Sequence, residues 1–178
     1  MLPLLLIIYA ALYGISMKIA DLLNEHGLKL FRGSGVLFGI VFGLSAVFLI
    51  LSDVVVANIL LAMCIAFLIR GRIDYVNHAI AITIIIVAFL NYSAFDLPLF
   101  LTFYFIFLIL GGLKDYVNDK LKKEGGFLFI LTESMLYYPV PTFIYCLLYG
   151  NWIVFYVFLV YTISYNLTKY VGIRSGYK

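Results

Sequence analysis

The chain has 178 residues, of which 65% are hydrophobic and 12% charged, and its net charge is +3. Soluble domains are about 45–50% hydrophobic and about one quarter charged. They bury only about 70% of their chain surface at this length, so the composition excludes a water-soluble fold. The small positive charge also argues against nucleic-acid binding. We predict an all-α, polytopic helical membrane bundle that forms one integral membrane domain over residues 1–178 and lies in the cell membrane.

Seven apolar runs predict about seven transmembrane helices. No cation precedes Lys18, so we expect the first run to remain as a spanning helix and not to be a cleaved signal peptide. Only Ser52 and Asp53 separate the second and third runs. One helix over both would be about 51 Å long, which far exceeds ~30 Å of hydrocarbon, so we expect a tight hairpin there. The predicted spans are 2–17, 36–51, 54–69, 79–94, 97–113, 127–149 and 152–167.

The distribution of charge predicts the orientation of this bundle. With seven spans, all 12 Lys and Arg residues fall on one side. The opposite side has no Lys or Arg and carries Asp53, Asn91, Asp96 and Asn151. Basic loops stay in the cytoplasm, which predicts an outside N-terminus and a cytoplasmic C-terminus.

A short polar pattern recurs in three of the basic segments. It consists of Asp, then Asn three residues later, then an acid or His, with a cation shortly before the Asp. If the helices continue beyond the membrane, these positions lie on one helical face. The three copies are Asp21-x-x-Asn24-Glu25, followed by His26; Asp74-x-x-Asn77-His78; and Asp115-x-x-Asn118-Asp119.

Such segments suit a site for a divalent metal and a phosphate. Mg²⁺ prefers oxygen ligands and usually takes one or two carboxylates plus substrate phosphates, whereas Lys and Arg bind the phosphate itself. The alternative is that these residues only cap helices and solvate loops. The predicted Mg²⁺ ligands are Asp21, Asp74, Asp115 and Asp119; the predicted phosphate-binding residues are Lys29, Arg32, Arg70, Arg72 and Lys114; and the predicted supporting residues are Asn24, Asn77, Asn118 and His26.

Glu133 lies inside the sixth predicted span, about 9 Å from its basic end at 1.5 Å per residue. An acid at that depth costs about 2–3 kcal/mol on insertion scales, so it should face the bundle interior. We predict Glu133, His78 and Asp119 as catalytic acid–base candidates, although a packing role for Glu133 remains open. Pro139 and Pro141 should break the same helix.

The segment Lys114-Asp115-Tyr116-Val117-Asn118-Asp119 resembles the second aspartate motif of UbiA-type prenyltransferases. That family binds a prenyl diphosphate through Mg²⁺ on aspartate-rich cytoplasmic loops, which is the chemistry that the resemblance implies for Asp115 and Asp119. The chain is shorter than the family's nine-helix fold. The loop with Asp74 lacks the family's first Asn-x-x-x-Asp-x-x-x-Asp motif. The resemblance therefore concerns chemistry and not membership.

The sequence thus favours a divalent-metal-dependent enzyme that transfers or hydrolyses a prenyl or lipid phosphate at the cytoplasmic face. The expected partners are membrane lipid and a lipid-linked phosphate substrate. The main alternative is a non-catalytic subunit or assembly factor of a membrane complex. A further copy of the chain or another membrane protein is an additional expected partner. A small-solute transporter is disfavoured because few polar residues, such as Asn58, fall in the outer half of the spans.

Overall fold

The structure is a computed structural model that describes residues 3–25, 27–117 and 126–175. These residues form helices and no strand, which confirms the all-α class. The helices are α1 Pro3–Glu25, α2 Ser34–Ile50, α3 Val54–Ile69, α4 Val76–Tyr92, α5 Leu97–Asp115, α6 Phe127–Glu133, α7 Pro139–Tyr149 and α8 Trp152–Arg174.

Two of the helices in the described part of the chain are long and apolar enough to cross a membrane. They are Leu4–Asn24 within α1 and Leu97–Asp115, which is α5. The helices α2, α3, α4 and α7 are apolar but shorter. These features support a helical membrane protein.

The turn between α2 and α3 is short because Asp53 starts a new helix. Its carboxylate accepts hydrogen bonds from the backbone N–H groups of Val55 and Val56, at 2.8 and 3.0 Å. Such a cap satisfies N–H groups that the first helical turn leaves free. The other Asp53 oxygen accepts a hydrogen bond from Asn151 Nδ2 at 3.0 Å, which ties this turn to the turn before α8.

The predicted span 127–149 is divided into α6 and α7. The break follows Glu133, includes Met135 at a φ of 55°, and ends where Pro139 begins α7. Proline lacks an N–H group and has a φ suited to the first turn of a helix. Asn166 Nδ2 donates a hydrogen bond to the freed carbonyl of Ser134 at 2.9 Å, which stabilises the break.

Close packing around α1 and α2 depends on glycine. A Cβ on Gly39 of α2 would lie 2.6 Å from the Asn77 carbonyl oxygen of α4, and a Cβ on Gly14 of α1 would overlap the Tyr161 backbone of α8. Helix α3 lies at the centre and packs against α2, α4, α5 and α8. Its residues 56–60 are buried on every side of the helix.

Candidate functional site

A cavity of about 320 Å³ opens at one end of the bundle. We call this the basic end; it is formed by the last turns of α1, α3, α5, α6 and α8, the first turn of α4 and the α3–α4 loop. Apolar and aromatic side chains line the deeper part of the cavity. The charged residues and the histidine that line it are Lys18, Asp21, Arg70, Arg72, Asp74, His78, Lys114, Asp115, Glu133 and Lys169.

Asp21 joins three helices at this cavity. Its carboxylate accepts a hydrogen bond from Tyr165 Oη on α8 at 2.7 Å and lies 2.9 Å from His78 Nε2 on α4. The Lys18 ammonium lies 3.7 Å from the same carboxylate. Asp21 is only 7% exposed, and a buried carboxylate requires such partners to offset the cost of leaving water. Asp21 therefore holds the His78 ring in place.

Asp115 at the end of α5 binds two arginines. Arg70 Nη2 lies 2.7 Å from Oδ2, and Arg72 Nη2 lies 2.7 Å from Oδ1. The Arg70 side chain is 9% exposed, whereas that of Arg72 is 40% exposed. Arg70 is thus a buried anchor between α3 and α5, and Arg72 lies at the mouth of the cavity.

Gly111 makes room for the Arg70 guanidinium. A Cβ at this position would overlap Nη1 and Cζ of Arg70, whereas a Cβ on the neighbouring Gly112 would meet nothing within 4 Å. Nη1 is also a buried donor with no hydrogen-bond partner among the described residues. The guanidinium therefore has one donor that is not satisfied by the described residues around it.

Glu133 contacts the ammonium of Lys169 on α8. Glu133, which we predicted to face the bundle interior, is the last residue of α6 and lines the cavity, with a side chain that is 26% exposed. Lys169 lies two residues beyond the predicted span 152–167. Burial and the positive charges of Lys114 and Lys18 lower the pKa of Lys169 from its usual 10.5 to about 8, despite its contact with Glu133.

The deeper wall of the cavity carries two buried phenol groups. Tyr13 is 1% exposed and Tyr138 is 0% exposed, and both line the cavity. The Tyr13 hydroxyl has no hydrogen-bond partner in the described part of the chain. The rings pack against the Tyr161 ring, with centroids 5.0 and 5.4 Å away. Below its charged mouth, the cavity is therefore lined mainly by apolar and aromatic side chains.

The structure brings eight of the predicted site residues to this one cavity. Others lie elsewhere. Lys29, Arg32 and Asn24 line a second cavity of about 410 Å³, between the end of α1 and the start of α2. Asn77 is buried and donates a hydrogen bond to the Ala20 carbonyl oxygen at 3.1 Å. His26, Asn118 and Asp119 fall outside the described residues.

The three polar segments do not share the helical geometry that their spacing predicts. Asp21 and Asn24 do lie on α1. Asp74, however, precedes α4, because Tyr75 is extended, with φ −126° and ψ 149°. Asp115 is the last residue of α5. The residues meet through the packing of different helices and not on the face of each one.

The metal prediction has no direct counterpart in the side-chain arrangement. In the described ranges, no group of three or more His, Cys, Asp and Glu residues is placed to hold a metal ion. Asp21 and Asp115 instead bind protein cations. The exposed Asp74 is the carboxylate at the cavity for which we find no such pairing in those ranges. Mg²⁺ binding stays a prediction.

Sequence reasoning omitted three polar residues of the cavity, Lys18, Tyr165 and Lys169. Each had a signal in the sequence. Lys18 precedes Asp21 by three residues, and Tyr165 precedes Lys169 by four, so each pair lies on one helical face. An intramembrane Glu133 also required a cationic partner, and the last predicted span ends close to Lys169.

Comparisons of this chain with protein-family models, with curated proteins and with solved structures found no match.

Proposed function

We propose that the protein is a multi-pass membrane protein that binds a phosphorylated lipid from the cytoplasmic leaflet in the cavity at its basic end. A single observation carries this proposal. One cavity has charged side chains at its mouth and an apolar, aromatic interior, which matches a ligand with an anionic head and a hydrocarbon tail.

The membrane arrangement follows from the helices and the charges. We infer seven crossings, with α6 and α7 together forming the sixth. This arrangement leaves every Lys and Arg of the chain on the side of the basic end. The positive-inside rule then assigns the cavity to the cytoplasmic side and the N-terminus to the outside. A phosphorylated lipid presents its headgroup at that depth.

The charges at the mouth favour an anionic ligand. Five Lys and Arg residues and four Asp and Glu residues line the cavity. Asp21 has protein partners, and the single charge of Asp115 faces two arginines, Arg70 and Arg72. Arg72 and Lys114 line the opening, where Arg and Lys side chains bind phosphate oxygens well.

The catalytic part of the proposal is a metal-dependent transfer or hydrolysis of the lipid phosphate. Mg²⁺ can bind through one or two carboxylates when substrate phosphates supply further oxygens, and Asp74 is the exposed carboxylate at the mouth. His78 is held by Asp21 and is the general-base candidate. Glu133, bound to Lys169, is the second acid–base candidate.

A second candidate function is that of a subunit in a membrane complex or oligomer. Helix α5 favours it, because only 17% of its apolar window is buried within the chain. Leu97, Leu101, Phe105 and Ile109 form an exposed stripe at four-residue spacing. Either lipid or a partner helix would cover this stripe. Cross-linking from Phe105 in native membranes would identify a partner if one is present.

The test uses the thermal unfolding of purified protein in detergent. The probes are dioctanoyl phosphatidate and farnesyl phosphate, each with and without Mg²⁺, and neutral dioctanoylglycerol. A ligand at 100 times its Kd should stabilise the native state by about 2.7 kcal/mol. We expect this for the phosphorylated lipids and not for dioctanoylglycerol. An additional shift that requires Mg²⁺ together with phosphate, and that Asp74→Asn removes, would support the metal site.

The two cavities provide a matched control. The double variant Arg72→Gln/Lys114→Gln removes two cations from the proposed site, and Lys29→Gln/Arg32→Gln removes two from the second cavity. The first variant should lose the shift with phosphorylated lipid, and the second should keep it. No shift in the unmodified protein, or equal loss in both variants, would overturn the proposal.

A further inference from the structure

The second cavity, of about 410 Å³, lies where α1 ends and α2 begins, apart from the proposed lipid site. Every residue that lines it falls within residues 23–35, so among the described residues no other helix contributes a wall. It therefore lacks an interior between several helices of the kind that the first cavity has. Its two cations, Lys29 and Arg32, are exposed. These features suit a small anion from solution better than a ligand with a hydrocarbon chain.

The start of α2 supplies this cavity with backbone donors. Gly33 precedes the helix with a φ of 88°, in the left-handed region that favours glycine, and its position provides no side-chain cap. The N–H groups of Gly35 and Val36 have no hydrogen-bond acceptor among the described residues. Free N–H groups and the helix dipole together make the start of a helix attractive to anions.

Ser34 gives an independent indication of a ligand. It is 5% exposed and lines the cavity, yet its hydroxyl makes no hydrogen bond among the described residues. The equally buried Ser16 and Ser45 donate to carbonyl groups of the preceding helical turn, whereas Ser34 is the first residue of α2 and has no such turn before it. Unlike the enclosed Tyr13 hydroxyl, the Ser34 oxygen stays open to the cavity. Buried polar atoms usually have a partner, which an anion in the cavity would supply.

We propose that the second cavity binds the phosphate group of a soluble phosphate compound, of which inorganic phosphate is the simplest. The first-turn N–H groups of α2 and the Ser34 hydroxyl donate hydrogen bonds to the phosphate oxygens, and Lys29 and Arg32 balance the charge. No acidic residue is among the described residues that line this cavity, in contrast to the first one. The inference is independent of the proposed function, because it concerns other residues and another ligand.

The experiment follows the thermal unfolding of purified protein in detergent during titration with potassium phosphate, and with potassium chloride at the same ionic strength. Phosphate should raise the unfolding temperature in a saturable manner, and chloride should not. Ser34→Ala should weaken phosphate binding about tenfold, because it removes one hydrogen bond to a charged ligand. Lys29→Gln/Arg32→Gln should weaken it further, since both cations are lost.

Ser45→Ala is the matched control on the same helix. Ser45 is also buried, but its hydroxyl donates to the Val41 carbonyl oxygen at 2.7 Å, away from the cavity. This variant should bind phosphate as the unmodified protein does. Without phosphate, Ser34→Ala should be at least as stable as the unmodified protein, because alanine favours helix and the lost hydroxyl had no partner.

The variants also separate the two cavities and the two sources of phosphate. Arg72→Gln/Lys114→Gln should keep the effect of inorganic phosphate and show none with dioctanoyl phosphatidate. An effect of phosphatidate in this variant that Ser34→Ala removes would mean a lipid headgroup and overturn the assignment to a soluble ligand. Phosphate binding that Ser34→Ala leaves unchanged, or no effect beyond that of chloride, would overturn the inference while the lipid site stands on its own test.

Discussion

Arg70 donates two hydrogen bonds to one carboxylate oxygen of Asp115, from Nε at 2.9 Å and from Nη2 at 2.7 Å. The contact joins the residue after α3 to the last residue of α5. It is a polar link between α3, the central helix, and α5, whose surface is largely exposed. Removing one partner of a buried pair leaves an uncompensated charge, whereas exposed pairs contribute little.

The first prediction compares the loss of Asp115 with the loss of Arg72, its more exposed arginine partner. Asp115→Asn should lower the free energy of unfolding by about 3 kcal/mol, because it leaves the buried Arg70 without its countercharge. Arg72→Gln should cost less than about 1 kcal/mol, because the Arg72 side chain is 40% exposed. Denaturant titration in detergent micelles measures both values. Equal costs for the two variants would contradict the burial of Arg70.

The second prediction uses adjacent glycines on α5. Gly111→Ala should destabilise the protein by about 1–3 kcal/mol, because the new methyl group must displace the Arg70 guanidinium. Gly112→Ala should be neutral or stabilising by up to about 1 kcal/mol, since its Cβ enters open space and alanine favours helix. Thermal unfolding of the two variants checks this order. A reversed order would mean that Arg70 does not lie against Gly111.

The third prediction concerns the hydrogen bond between Tyr165 and Asp21. Tyr165→Phe should cost about 2 kcal/mol, since hydrogen bonds to charged groups contribute about 1.5–3 kcal/mol. The matched control is Tyr156→Phe on the same helix, where the side chain is 52% exposed and the change should be close to zero. Denaturation of both variants under the same conditions gives the comparison. Loss of similar stability in the control would contradict the proposed anchor.

The helices follow directly from features that the sequence displays. Continuous apolar runs predicted the helical class, and Pro139 predicted the break, because proline cannot continue a hydrogen-bonded helix. The convergence of Asp21 with Tyr165 could not be predicted in the same way. It requires α1 to lie against α8, a contact between residues 144 positions apart that Gly14 permits and no local pattern encodes.

The sequence predicted which residues form the candidate site better than it predicted which of their side chains bind one another. The free-energy cost of an acid inside the membrane identified Glu133, and the positive charge of the loop identified Arg70. The spacing of the residues did not indicate that Asp115 binds arginines rather than a metal ion. Local spacing placed Asp74 on a helix, whereas the extended Tyr75 leaves it in a loop. Side-chain partners depend on the final packing of helices, which a single sequence does not specify.

The last prediction is a pH dependence at Lys169. Because its pKa is about 8 in the folded protein, Lys169 loses its proton as pH rises through that value. Lys169 lines the cavity proposed to bind the lipid phosphate, so the affinity for that phosphate should fall around pH 8. The free energy of unfolding should instead rise from about pH 8 to about pH 10.5, since the unfolded chain still holds the proton over this range.

Lys169→Arg is the control for both effects, because arginine stays charged throughout this range. Titration of dioctanoyl phosphatidate at pH 7 and pH 9 should give weaker binding at the higher pH for the unmodified protein and equal binding for the variant. Binding that falls equally in both proteins would assign the pH dependence to another group. Binding that is constant in both would show that the charge of Lys169 does not act on the bound phosphate.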